Sequence, residues 1–173
     1  MMKERGNVIL IGMSGAGKST LGVLLAKALG KDFVDTDLII QQRTKKLLQQ
    51  ILDEEGVERF MEIEEAAVSE LSPSNTVIAT GGSVVYSETA MRALKSGGVT
   101  VYLAVDYPEL SVRLSNITTR GIVFKDAQDL RGVYEERLPL YERYADIRVD
   151  CTGQGVERSV GEILRALKER EQE

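Results

Sequence analysis

Gly12-Met-Ser-Gly-Ala-Gly17-Lys18-Ser19-Thr20 decides the fold of this chain. It matches G-x-x-x-x-G-K-[ST] without a gap. The apolar run Val8-Ile-Leu-Ile11 leads into it. Ser19–Leu29 leads out, with Leu21, Leu24, Leu25, Ala28 and Leu29 at helical spacing and Gly30 as a stop. Between a strand and a helix, such glycines let the backbone curl with its N–H groups turned inward, so that a polyphosphate is cradled by amide donors. The positive end of the following helix favours the same anion. Gly12, Ser14, Gly15, Ala16, Gly17, Lys18, Ser19 and Thr20 form the candidate cradle. In it Lys18 reaches the outer phosphates and the Ser19 hydroxyl is a ligand for Mg²⁺. A plain glycine-rich turn is the competing reading, and the two correct flanks outweigh it.

Outward from the loop, short β-rich runs alternate with amphipathic stretches. Strands are expected at Asn7–Ile11, Asp32–Asp35, Thr76–Thr80, Val99–Val105 and Ile147–Val149. After Ser19–Leu29, helices are expected at Glu58–Leu71, Glu88–Leu94, Pro108–Leu114, Asp126–Ala145 and Val156–Lys168, with Asp106 as an N-cap. Continuously apolar strands such as Val-Ile-Leu-Ile suit a parallel sheet covered on both faces. The expected fold is a three-layer α/β domain occupying the whole chain, 1–173.

Composition removes several chemistries. There is no His, so Ser-His, Cys-His and His-ligated metal mechanisms are excluded. Cys151 is the single cysteine and can form neither an intramolecular disulfide nor a structural zinc site. A net charge of −5 argues against duplex nucleic acid or an anionic membrane as partner. No apolar run approaches the length of a membrane helix, and the run at 8–13 is too short for a signal-peptide core. A cytoplasmic monomer acting on a small molecule is expected.

Three further segments carry chemistry. Asp35-Thr36-Asp37 ends the second strand, where ligands gather in open α/β sheets. As i and i+2 of an extended segment, the two carboxylates share one side, one for the Mg²⁺ shell and one for an acceptor hydroxyl. An N-cap for a helix starting near Leu38 is the alternative use. Thr80-Gly81-Gly82-Ser83 follows another buried strand, and its glycines permit close approach of a ligand to bare amides, or simply a tight turn. The polar segment Asn116–Lys125 fits neither period and reads as a mobile lid or a surface loop.

Taken together, the chain resembles the shikimate kinase family of small phosphate-loop kinases. GMSGAGKST, DTD, Phe60-x-x-x-Glu64, ATGGSVV, an arginine in the lid and ERLPLYERYAD occur in order along nearly the whole length. The resemblance implies a five-stranded parallel sheet, ATP and Mg²⁺ as cofactors, and transfer of phosphate to a hydroxyl of a small carboxylate, shikimate giving shikimate 3-phosphate. It implies Asp35 beside Mg²⁺, Asp37 on the acceptor hydroxyl, and Gly81 and Gly82 against the substrate. It implies Arg120 in the lid on the transferring phosphate, Arg137 on the substrate carboxylate, and Arg113 packing on adenine. Lys18, Asp37 and Arg120 are thus the expected catalytic groups. The chain departs from the pattern at Met61, where a second carboxylate-binding arginine belongs, at Ser83 in place of a third glycine, and at Arg120-Gly121-Ile122-Val123, where the lid pattern is R-P-L-L. A thioether cannot replace a bidentate cation, so Met61 as a substrate contact leaves open another acceptor, homoserine or a sugar acid. A nucleotide-binding protein without catalysis and a nucleoside monophosphate kinase are the remaining alternatives.

Overall fold

The computed structural model describes residues 6–115 and 129–172. Strand β1, Asn7–Ile11, is buried along its entire length, which is why its sequence is apolar on both faces. It lies between β3 (Thr76–Ala79) and β4 (Gly98–Ala104), while β2 (Asp32–Asp35) and β5 (Ile147–Asp150) form the edges. The order is β2-β3-β1-β4-β5 and every pairing is parallel, with Val8 opposite Val77 and Val99, and Leu10 opposite Ala79 and Val101. All strands therefore deliver their C-terminal ends to one side of the sheet.

Seven helices flank the sheet among the described residues: α1 (Lys18–Leu29), α2 (Thr36–Thr44), α3 (Leu48–Ser69), α4 (Glu88–Ser96), α5 (Tyr107–Ser115), α6 (Leu130–Tyr144) and α7 (Val156–Glu171). The three-layer α/β architecture and the five expected strands are present, each strand within one residue of its expected bounds. The amide of Lys31 returns to the Ala26 carbonyl past Gly30, closing α1 as expected. Asp106 accepts from the Glu109 amide at 3.1 Å, the expected cap of α5.

Three helix readings need correction. Helix α3 begins at Leu48, ten residues before the expected Glu58. Gly56 leaves helical geometry (φ +81°), so the apolar period is broken there and only the half after it was readable. Helix α6 starts at Leu130, where the Asp129 side chain accepts from the Gly132 amide, rather than at Asp126. Helix α7 runs on to Glu171 beyond Lys168. The lid at 116–125, with Arg120, lies outside the described residues.

The main core gathers Ile9, Leu10, Ile11, Leu25, Ile78, Leu103 and Ile163 around the sheet. A second apolar cluster, Ile40, Ile51, Phe60 and Ala67, joins α2 to α3 and has Met61 packed against it. No described helix is long and apolar enough to cross a membrane.

Candidate active site

The phosphate loop leaves β1 and enters α1 with Gly15 at φ +86° and Gly17 at φ +94°, backbone values that a Cβ would strain. Gly17 occupies the N-cap of α1 with no side-chain cap, so the first amides of the helix are left for an incoming anion. Lys18 is buried, and its ammonium donates to the carbonyls of Gly12 at 2.6 Å and Met13 at 2.8 Å. Ala16 is buried beneath the loop, and its amide closes a turn onto the Met13 carbonyl. Arg113, from α5, donates to the Gly15 carbonyl at 3.1 Å and pairs with Glu109. The loop opens into a cleft of about 210 Å³ lined by Ser14, Ser19, Thr20, Asp37, Gly81 and Gly82 among others.

Ser19 Oγ donates to Asp35 Oδ2 at 2.6 Å, joining the phosphate loop to the end of β2. A hydroxyl beside a carboxylate is the hard-oxygen donor set that suits Mg²⁺, which takes one or two protein ligands and fills its shell with water and phosphate oxygens. No cluster of three acidic or thiolate ligands occurs among the described residues, and this ion does not need one. The residues present fit it.

The acidic pair departs from the extended geometry expected of it. Asp35 Oδ1 accepts from the amides of Asp37 at 2.9 Å and Leu38 at 3.3 Å, which starts α2 at Thr36. Asp37 therefore reaches the cleft from the first turn of a helix, and Asp35 is both the cap and the partner of Ser19. The capping use of this motif is present, made by Asp35.

The opposite wall is built on the glycine turn after β3. A Cβ on Gly82 would stand 2.8 Å from Arg137 Nη1 and 3.2 Å from the Ser14 amide nitrogen, so Gly82 is what allows α6 and the phosphate loop to converge. A Cβ on Gly81 would meet Glu64 Oε2 at 2.5 Å and Asp37 Oδ1 at 2.9 Å. The turn is held by three side chains. Thr36 Oγ1 accepts from the Gly81 amide at 3.2 Å, Tyr141 Oη donates to the Gly82 carbonyl at 2.6 Å, and Ser83 Oγ donates to Glu64 Oε1 at 2.6 Å. Arg137 is completely buried, with its guanidinium over the Tyr86 ring and Nε donating to the Tyr86 hydroxyl at 3.3 Å.

Burial pushes the Glu64 carboxyl up to about 7, against the Ser83 hydrogen bond and the Arg137 and Lys18 charges, while Asp37 pushes the same way as burial. Tyr141 is pushed up to about 12, mainly by its burial, so its hydroxyl stays a donor.

The structure thus brings Ser14, Lys18, Ser19, Asp35, Asp37, Gly81, Gly82 and Arg137 into one cleft region. Met61 lies in the apolar cluster between α2 and α3, one turn before Glu64. Reading from sequence assigned no role to Glu64, Tyr86 or Tyr141. A signal for Tyr141 existed, because residues 137 and 141 fall on one face of a helix; nothing in the sequence pointed Tyr86 at Arg137.

A phosphate loop at the centre of a parallel sheet, facing a wall that carries Asp37, Glu64 and a buried guanidinium, defines a phosphate-loop kinase of small molecules. The chain belongs to the shikimate kinase family, whose model matches residues 14–168. It is 37% identical over 172 residues to the shikimate kinase of Vibrio parahaemolyticus, covering 98% of this chain and all of that one. Its structure resembles that of the Acinetobacter baumannii shikimate kinase in complex with shikimate, with a TM-score of 0.89 and 30% identity over 97% of this chain and 96% of that one. A gluconokinase from Sinorhizobium meliloti, at a TM-score of 0.59 and 18% identity over 96% and 94% of the two chains, shares the fold alone.

Proposed function

We propose that this chain transfers the γ-phosphoryl group of ATP to a hydroxyl of shikimate, giving shikimate 3-phosphate. The observation that carries the reading is the position of Gly82 between Arg137 Nη1 and the Ser14 amide. A carboxylate held on Arg137 then stands within one small molecule's length of the phosphate loop, with Asp37 beside the intervening turn. A small acid bearing a hydroxyl fits that spacing. A nucleoside monophosphate, which carries a dianionic phosphate, fits the Asp37 and Glu64 side of the wall poorly.

MgATP supplies the phosphoryl group and the charge neutralisation that its transfer needs. The chain's own residues do the rest. Amides of the loop and the start of α1 bind the phosphate oxygens, and Lys18 exchanges its contacts with Gly12 and Met13 for them. Ser19 and Asp35 are the residues that would hold Mg²⁺. Asp37 orients the acceptor hydroxyl and takes up its proton, since the chain has no histidine to do so. Arg137 fixes the acceptor's carboxylate, and we assign Arg113, which donates to the Gly15 carbonyl of the loop, to the base. We assign Arg120, in the segment outside the described residues, to the transferring phosphate.

The loss of an arginine at position 61 leaves homoserine or a sugar acid as the second reading, and the likeness to a gluconokinase gives it no support beyond the fold. An ADP-release assay with shikimate, homoserine, gluconate and nucleoside monophosphates tests the choice. Shikimate is expected to give the highest kcat/KM. A higher value for any other acceptor overturns the reading.

A further inference from the structure

Glu64 is 3% exposed and sits on α3 at the back of the acceptor wall. A buried carboxyl needs a cation, a hydrogen-bond donor or a proton. The helix itself offers none on that face. The residues one turn before it are Phe60 and Met61, and those one turn after it are Ala67 and Val68. Arg59, the cation of this stretch, points away and pairs with Glu55 and Glu62 at the surface. The donor that Glu64 does have comes from the glycine turn packed against it: Ser83 Oγ on its Oε1 at 2.6 Å. Oε2 has no hydrogen-bond partner among the described residues and lies against Gly81, beside Asp37 Oδ1.

Two of the three departures from the family pattern therefore lie close to this side chain, Ser83 by its hydrogen bond and Met61 by its place one turn earlier on α3. Position 61 is three residues before Glu64, the spacing at which a helical cation reaches a carboxylate. Position 83 provides the hydroxyl that the carboxyl uses instead. We infer that Met61 and Ser83 are linked through Glu64: with a thioether at position 61 the Ser83 hydroxyl orients Glu64, so that Ser83 is a positioning residue for the acceptor. This rests on the acceptor reading above.

The consequence is local. Ser83 belongs to the same turn as Gly81 and Gly82, so its bond to Glu64 fixes that turn against α3, while Tyr141 fixes it against α6. Without the hydroxyl, Glu64 keeps its burial and loses its donor. Its carboxyl then faces Asp37 from α2, with Arg137 from α6 and Lys18 from α1 as the cations acting on it among the described residues, and protonation becomes its remaining compensation.

The test compares the wild type, Ser83→Ala, Met61→Arg and the double variant, with Ser83→Gly as a second form of the first change. Acceptor KM with shikimate should rise roughly tenfold in Ser83→Ala, the size expected for a lost hydrogen bond to an ionisable group, with ATP KM unchanged. Met61→Arg should restore most of that loss in the double variant, because the arginine now supplies the missing partner. Infrared difference spectroscopy, with the Glu64 band assigned by its absence in Glu64→Gln, should show carboxyl ionisation moving to higher pH in Ser83→Ala and returning in the double variant. A merely structural serine would move neither the carboxyl nor its rescue. Independent effects of the two substitutions on acceptor KM, or an unmoved carboxyl band, would overturn the inference. The infrared arm needs no acceptor, so failure of wild-type turnover on shikimate would count against the acceptor reading and leave this link to be decided by the band alone.

Discussion

Ser19 Oγ donates to Asp35 Oδ2 at 2.6 Å, a contact between residues sixteen apart that ties the phosphate loop to the edge strand β2. The same carboxylate caps α2 through its other oxygen. These duties separate experimentally, because Asn caps a helix about as well as Asp but is a poor ligand for a hard cation. Asp35→Asn should raise the Mg²⁺ concentration for half-maximal turnover by about tenfold or more, with the melting temperature nearly unchanged. Unchanged Mg²⁺ dependence would remove Asp35 from the metal site.

Asp37 makes a different prediction, because the cap role belongs to its neighbour. Asp37→Asn should lower kcat by about 10²-fold or more, the usual scale for a positioned acid–base group. Its thermal stability should match the wild type, since Asp35 remains in place to start the helix. Near-normal turnover would end its assignment to the acceptor hydroxyl.

The contrast between these two aspartates shows what could be read from the chain. The phosphate loop and strands were legible because nine contiguous residues and runs such as Val8–Ile11 answer to local geometry alone. Asp35 and Asp37 were identified as a pair, but their orientation was not, since extension ends where the Asp35 side chain captures two amides. Glu64 and Tyr141 were beyond reach for another reason. Their roles depend on contacts 19 and 59 residues away along the chain, to Ser83 and Gly82, and no local period encodes such a meeting.

Tyr141 is the next test. Its ring stacks on Tyr102 with centroids 5.2 Å apart, so Tyr141→Phe should keep the packing and remove only the hydroxyl that holds the Gly82 carbonyl. Leaving that buried carbonyl without its donor should cost about 1–3 kcal/mol in urea unfolding. Because Gly82 stands between Arg137 and Ser14, acceptor KM should rise while ATP KM holds. Equal increases in both constants would mean that the hydroxyl serves the fold and not the acceptor wall.

Glu64 carries the last prediction, which concerns stability against pH. Burial, with Asp37 adding to it, raises this carboxyl from 4.5 to about 7 in the folded protein, so between those values the native state binds a proton that the unfolded chain has released. Stability from this group is therefore full below about pH 4.5 and declines as pH rises to about 7, reaching a loss on the order of 3 kcal/mol. Glu64→Gln has no proton to release and can still accept from Ser83 through its amide oxygen. The unfolding free energy of Glu64→Gln relative to the wild type should thus increase steadily from pH 5 toward pH 7 and level off beyond it. Urea unfolding of both proteins across that range measures it directly. A difference independent of pH would show that Glu64 ionises alike in both states, and the acceptor wall would then hold a second full negative charge beside Asp37.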